Sequence, residues 1–165
     1  MALLSNFDIL DICKYFRLPL CGIFMKNQLP KIKKIGYYVV NMASSTDFNG
    51  GTHWVVLCII PDKRFYFDSF GFGPPQLVEK WMKPYEPYYI NPTRLQYETS
   101  SFCGWYCIAV MYHSYNWQPK GKSNIESRIT SFNKLFNKKD YKGNYQKMIE
   151  YFDDIFKAPH LPKQE

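Results

Sequence analysis

Residues 53–60 of this 165-residue chain read HWVVLCII, and this stretch decides the fold. It is nearly all apolar, which is typical of a strand buried on both faces of a sheet. Residues 36–43 (GYYVVNMA) and 64–70 (RFYFDSF) are predicted strands on either side, separated from it by turn signals at 48–51 and 61–63. The three strands are therefore expected to form a meander with residues 53–60 in the middle.

Helices are predicted before and after these strands. Their apolar residues recur at helical spacing, and the one that begins at Cys103 is apolar enough to be a central buried helix. In chain order the predicted helices cover residues 5–17, 76–82, 103–117, 125–136 and 145–156. A short strand is expected near 88–90. Strands in a run, with helices on both sides, predict one α+β domain over 1–165, with a central mixed sheet flanked by helices.

The composition is that of a well-packed globular protein. Hydrophobic residues make up 46% and aromatic residues 19% of the chain, which argues against disorder. The first residues do not resemble a signal peptide, and every apolar run is shorter than the roughly 20 residues that cross a membrane. A soluble protein that is neither secreted nor membrane-bound is expected. The five cysteines, an odd number, do not suggest a disulfide framework.

The net charge of +7 is concentrated near the C-terminus. Residues 119–147 contain eight Lys and Arg against two acids, a local net charge of +6. One interpretation is a solvated helical face that maintains solubility, and the other is a non-specific contact with nucleic acid. No motif for sequence-specific recognition accompanies these charges.

Cys103 and His53 are the first candidates for chemistry. Cys103 stands where a loop ends and the buried helix begins, and the helix N-terminus favours a thiolate, which is the nucleophilic form of cysteine. Gly104 leaves no side chain beside the sulfur, so that a substrate backbone could approach. His53 follows a glycine-containing loop and opens a strand, which is a common way to place a catalytic base. Each residue alone is also compatible with a structural role.

Asp68 and Gln96 complete the set. Asp68 ends the strand after that of His53, and antiparallel pairing would return it to the level of the imidazole, which a carboxylate can orient. Gln96 precedes Cys103 by seven residues, and its amide could donate to the oxyanion formed when a thiolate attacks a carbonyl, beside the backbone N–H of Cys103.

Together these features resemble the adenovirus-type protease (adenain) family, whose wider clan includes the proteases of ubiquitin-like modifiers. The resemblance rests on the order His53, Asp68, Gln96, Cys103, and covers roughly residues 36–117. Its strongest local matches are residues 50–54 (GGTHW), residues 66–71 (YFDSFG) and the spacing Gln-x6-Cys-Gly. Residues 6–9 and 22–24 are also similar to relatives in viruses and virus-like transposons.

The resemblance implies a papain-like, adenain-like cysteine protease fold and a role for each matching residue. Cys103 would be the nucleophile, His53 the general base, Asp68 the orienting acid and Gln96 an oxyanion donor. Trp54 would pack beside the histidine, and Gly51 and Gly104 would border the substrate cleft. The family implies cleavage of viral precursor proteins of the capsid or core during virion maturation, often after small residues such as Gly. It also implies a location in the virion and in the nucleus or cytoplasm of the host cell.

Three departures from the family refine these expectations. Adenain has Glu where this chain has Asp68, whereas modifier proteases have Asp. Modifier proteases have Asp before the nucleophile, and Phe102 stands here, which favours the viral branch. Adenain is activated by a disulfide-linked viral peptide and by DNA. This chain has no Cys between Cys58 and Cys103 to attach such a peptide, but the basic 119–147 segment would suit DNA. No cofactor is required by the sequence, and a monomer is expected.

Three alternatives remain beside this interpretation. One is a protease of ubiquitin-like modifiers, and another is a non-catalytic, basic nucleic-acid-binding virion protein. The third is a zinc site, which is disfavoured because its candidate ligands lack the spacing of a zinc finger. Those candidates are His53, Cys58, Cys103, Cys107 and His113.

Overall fold

The computed structural model describes residues 3–43, 53–97, 100–117 and 124–157. Its strands are β1 (Leu20–Met25), β2 (Tyr37–Asn41), β3 (Trp54–Cys58), β4 (Phe65–Phe67) and β5 (Tyr89–Ile90). Its helices are α1 (Asn6–Tyr15), α2 (Gln76–Met82), α3 (Cys103–Asn116), α4 (Ile125–Asn133) and α5 (Tyr141–Lys157). A 3-10 turn, Lys83–Tyr85, follows α2.

The strands form one mixed sheet in the order β1-β2-β3-β4-β5. Strands β2, β3 and β4 are antiparallel, as the meander predicted, with Val39 opposite Val56 and Val56 opposite Phe67. Strands β1 and β5 add parallel partners at the two edges. The predicted α+β class with a central mixed sheet is therefore confirmed. The turn expected at 48–51 lies outside the described residues.

Strand β3 is buried on both faces because both faces of the sheet are covered. Val56 and Cys58 belong to a large core that also contains the buried side of α3. Val55 and Leu57 point to the opposite face and pack in a second core against α2. An uninterrupted apolar run is the pattern that such two-sided burial requires.

Helix α3 occupies the centre of the larger core. Nine of its fourteen residues are buried, and it contacts β3, α1, α4 and α5. It begins at Cys103, the predicted position, and ends one residue before the predicted boundary. In the part of the chain that the structure describes, no helix has both the length and the apolar character needed to span a lipid bilayer.

The other predicted helices differ mainly at their ends. Helix α1 has Ser5 as its N-cap, with a reciprocal hydrogen-bonded box to Asp8, and ends at Tyr15 rather than near Arg17. Helix α5 begins at Tyr141, before the apolar repeat that predicted it. Strand β1 was not predicted, because its sequence, LCGIFM, is half-buried throughout and lacks an alternating pattern.

Candidate active site

Cys103 is the first residue of α3, and only 1% of its surface is exposed. A residue at this position has no partner for its N–H inside the helix. No side chain caps this helix end, because Phe102 occupies the N-cap position. The sulfur therefore lies at the positive end of a buried helix, with backbone N–H groups beside it.

His53 and Asp68 approach each other because of the β3–β4 pairing. Val56 pairs with Phe67, so extending the antiparallel register past the strand ends brings Asp68 and Phe70 towards His53. The His53 Nε2 donates a hydrogen bond of 2.6 Å to Asp68 Oδ1. His53 and Asp68 are both buried, with 8% and 3% of their surfaces exposed. The proximity that the spacing predicted is present.

The same carboxylate oxygen also accepts a hydrogen bond of 2.8 Å from the Phe70 backbone N–H. The Phe70 ring lies flat against the imidazole, with 4.0 Å between ring centroids and 13° between planes. The contact with Phe70 was missed from the sequence. The aromatic ring and the carboxylate fix the plane and the direction of the His53 side chain.

The other imidazole nitrogen, Nδ1, is buried and makes no hydrogen bond with any described residue. Burial of the ring lowers the pKa of His53, but the hydrogen bond to Asp68, the nearby Cys103 thiol and the charges of both outweigh burial and raise the pKa to about 9. The Cys103 thiol is thus close enough to interact with the imidazole. With Nε2 held by Asp68, Nδ1 remains for exchanging a proton with the sulfur.

A network behind Asp68 holds its backbone. Asn91 is fully buried and donates from Nδ2 to the Asp68 carbonyl at 3.0 Å, while its Oδ1 accepts from Asn133 at 2.8 Å. Gly71 closes the turn after Asp68 with a φ of +75° and donates to the Asp68 carbonyl. A Cβ at Gly71 would lie 2.9 Å from the Pro92 carbonyl oxygen, so glycine is required by both conformation and space.

Gln96 lies in the loop before α3, and 2% of its surface is exposed. Both polar atoms of its side chain are buried and have no hydrogen-bond partner among the described residues. The preceding residue, Leu95, is anchored on both sides: its N–H donates to the Ser69 carbonyl, and its carbonyl accepts from Tyr106 and Asn144. This anchoring, which the sequence did not reveal, fixes the backbone from which an amide without a partner extends.

The predicted cleft residues have different surroundings. Trp54 is half-buried and lines a cavity of about 510 Å³ that is also bounded by Leu4, Phe24 and Asn41. Gly104 is buried, and a Cβ there would lie 3.2 Å from the Leu4 side chain, so the space beside this glycine is filled by the N-terminal segment. Gly51 lies outside the described residues. The roles of all three towards a substrate stay predictions.

All five cysteines are free thiols. Burial raises the pKa of Cys13 and Cys58 to about 12 and raises the pKa of Cys107 well above its ordinary value. These three thiols stay protonated and unreactive at neutral pH. Within residues 3–43, 53–97, 100–117 and 124–157, no three His, Cys, Asp or Glu side chains converge in a way that could hold a metal ion.

Comparison with solved structures finds chains of similar fold. No protein-family model matches the chain, and no curated protein matches it in sequence. A crystal structure of the selenomethionine form of the ASFV pS273R protease matches with a TM-score of 0.48 and 18% identity. The match covers 82% of this chain and 68% of that protein.

Proposed function

We propose that this protein is a cysteine endopeptidase with Cys103 as nucleophile and His53 as its base. The observation that supports this most is the position of the imidazole. One of its nitrogens is held at 2.6 Å by a buried carboxylate, and the interaction with the Cys103 thiol is among the causes that raise the imidazole pKa. A nucleophile, a base and a group that orients the base are the three parts of this chemistry.

The reaction begins from a thiolate–imidazolium pair, with the proton of the Cys103 thiol already on His53 Nδ1, because the raised pKa of the imidazole keeps it charged at neutral pH. The thiolate attacks the carbonyl carbon of the scissile bond, and the negative charge passes to the carbonyl oxygen. The Cys103 backbone N–H and the Gln96 amide would donate to this oxyanion. The imidazolium then gives its proton to the leaving nitrogen as the C–N bond breaks. Water, deprotonated by His53, attacks the thioester, and breakage of the C–S bond releases the acid and restores the thiolate–imidazolium pair.

The closed surroundings of the sulfur support a substrate with little bulk at the cleavage point. Cys103 is 1% exposed, and Leu4 and Ile9 fill the space beside Gly104. A peptide whose acyl residue is Gly could reach such a site without a side chain to accommodate. This supports cleavage after small residues, and the resemblance stated from the sequence adds viral precursor proteins of the capsid or core, cut during virion maturation, as the proposed substrates.

Cleavage profiling of a peptide library by mass spectrometry tests this proposal. Wild-type protein is expected to cut after Gly or another small residue, and Cys103→Ala is expected to fold normally and cut nothing. Unchanged cleavage by Cys103→Ala would overturn the assigned mechanism. Parallel reporters fused to ubiquitin-like modifiers separate the viral assignment from the alternative, because a modifier protease would prefer the fused reporters to precursor peptides.

Part of the basic segment supports an accessory contact with DNA. Lys134, Lys138 and Lys147 line one open depression between α4 and α5, and the phosphate backbone is the partner that such a cluster would attract. Binding should be non-specific and should weaken as salt rises. Fluorescence anisotropy with unrelated duplexes at two salt concentrations measures this. Sequence-dependent or salt-independent binding would contradict a phosphate contact, and stimulation of cleavage by the same duplexes would identify DNA as an activator.

A further inference from the structure

A second cavity, of about 260 Å³, lies between the loop before α3, the first turn of α3 and the first turns of α5. We name it the aromatic cavity, because five rings line it. They belong to Tyr97, Phe102, Tyr106, Tyr141 and Tyr145. Phe102 stacks on Tyr145 with 4.5 Å between centroids, and Tyr97 meets Tyr141 edge-on at 4.8 Å. Its volume is below the roughly 300 Å³ at which pockets for drug-sized ligands begin, so it suits a single large side chain.

The aromatic cavity also has polar groups without partners. It is lined by Gln96 and Ser100, and neither the Gln96 amide nor the Ser100 hydroxyl makes a hydrogen bond with a described residue. Gln96 is 98% buried, since 2% of its surface is exposed. Buried polar groups in native structures nearly always have partners. A ligand that brings both apolar bulk and hydrogen-bonding groups would satisfy this cavity.

The position of the cavity relates it to the nucleophile. Phe102 precedes Cys103, and Tyr106 lies one turn further along α3, on the same face of the helix as Phe102. Gly104 faces away from them, towards Leu4. Leu4 borders the other cavity, of about 510 Å³, which Trp54 also lines. The two cavities therefore lie on different sides of the residue that carries the sulfur. A peptide that crosses Cys103 has one cavity available to each of its two halves.

We propose that the aromatic cavity binds the side chain of the substrate residue directly after the scissile bond, and selects a bulky apolar residue, with an aromatic one preferred. This inference rests on the protease function proposed above. If the acyl residue is Gly, it has no side chain to fill this space, so the bulk comes from the leaving half of the peptide. Ring-lined walls favour an aromatic occupant because ring pairs gain from edge and offset contacts.

The Gln96 amide fits the same occupant. With Gln96 Nε2 donating to the oxyanion, Oε1 is left to accept the N–H of the leaving residue. The leaving nitrogen takes its proton from the His53 imidazolium as the C–N bond breaks, and the acyl group stays on sulfur. The reverse of this step, aminolysis of the thioester, depends on the same cavity. A free amine bound through its side chain in the aromatic cavity attacks the thioester, loses a proton to His53 and forms a new amide as the C–S bond breaks.

Acyl transfer to amino acid amides tests the cavity separately from the acyl side. One Gly-terminated peptide ester acylates Cys103, and the thioester then partitions between water and added phenylalaninamide or glycinamide, quantified by mass spectrometry. We expect phenylalaninamide to be used at least about tenfold better than glycinamide, the scale on which apolar pockets discriminate. Ser100→Leu, which fills the cavity, should bring this ratio close to one.

The matched control is Ser101→Leu, the same change at an exposed neighbour that does not line the cavity, and it should keep the wild-type ratio. Tyr97→Ala removes a half-exposed wall, and should also lower the ratio, so it decides the matter if Ser100→Leu does not fold. Equal use of both amides by wild type, or equal effects of the two serine variants, would overturn the inference and leave the protease intact. Absence of acylation in folded wild-type protein would overturn both.

Discussion

The contact between Asp68 and His53 makes a measurable prediction about the imidazole. The ordinary pKa of His is 6.5, and that of His53 is raised to about 9. At about 1.4 kcal/mol for each unit of pKa, this corresponds to about 3 kcal/mol in favour of the imidazolium. Asp68→Asn keeps the shape and removes the negative charge. Since an opposite charge at this distance changes a pKa by roughly 1 to 3 units, we expect the pKa of His53 to fall towards or below 7.

Proton NMR of the imidazole C–H signals measures this directly, because the chain contains only three histidines. Burial and then the Arg128 charge lower the pKa of His113 to about 4, so its signal titrates in a different pH range from that of His53. His160→Gln removes the signal of the third histidine. Asp154→Asn, the same change at an exposed position on α5, is the matched control and should leave His53 unchanged. A wild-type His53 that titrates near 6.5, or equal effects of the two Asn variants, would refute the reasoning.

The same contact makes stability depend on pH with a defined sign. A folded pKa raised above the unfolded one means that the folded protein holds the proton more tightly. The stabilisation from His53 is therefore complete below pH 6.5 and is lost as the pH rises through about 9. The difference in unfolding free energy between wild type and Asp68→Asn should shrink by about 1 to 3 kcal/mol between pH 6 and 10. A constant difference in denaturant titrations would show that the carboxylate does not act through His53.

Three further predictions concern the residues around this contact. Gly71→Ala should destabilise the fold by about 2 kcal/mol or more, because its φ is positive and its Cβ would meet backbone. Gly73→Ala, with open space around it, is the control and should change the melting temperature little. Equal losses of melting temperature in the two variants would contradict this prediction. Asn91→Ala should cost about 3 kcal/mol in denaturant titrations, since buried partners are left without hydrogen bonds, and a cost below about 0.5 kcal/mol would remove its assigned role. Iodoacetamide at pH 7 should modify Cys103 in wild type and much less in His53→Gln, as peptide mass spectrometry would show, and equal modification would argue against the pair.

Much of the fold could be predicted because β3 is apolar on both faces. An apolar run of this kind needs cover on each side, and the helices around it had clear apolar repeats. Strand β1 could not be predicted in the same way, because it is a half-buried edge strand with a glycine inside it. Its place beside β2 depends on parallel pairing, which leaves little local signal in a short, half-buried sequence.

The candidate site, too, could be predicted only where a local sequence pattern determines the geometry. The approach of His53 to Asp68 follows from two neighbouring antiparallel strands, so a local pattern was sufficient. The stacking of Phe70 on His53 was within reach of the same argument, since the β3–β4 register also brings Phe70 to the imidazole. The roles of Asn91 and Asn144 could not be predicted, because single polar residues in loops and helices have no periodicity. Their hydrogen-bond partners lie 23 and 49 residues away in the sequence.

Gly104 shows why a small residue beside a nucleophile is ambiguous in a sequence. Absence of a side chain creates space, and the sequence suggested that a substrate would use it. In the structure that space is filled by Leu4, a residue 100 positions earlier, while the unfilled space next to the helix start lies on the side of Phe102 and Tyr106. Which neighbour fills a gap is decided by packing between distant segments, and no local pattern records it.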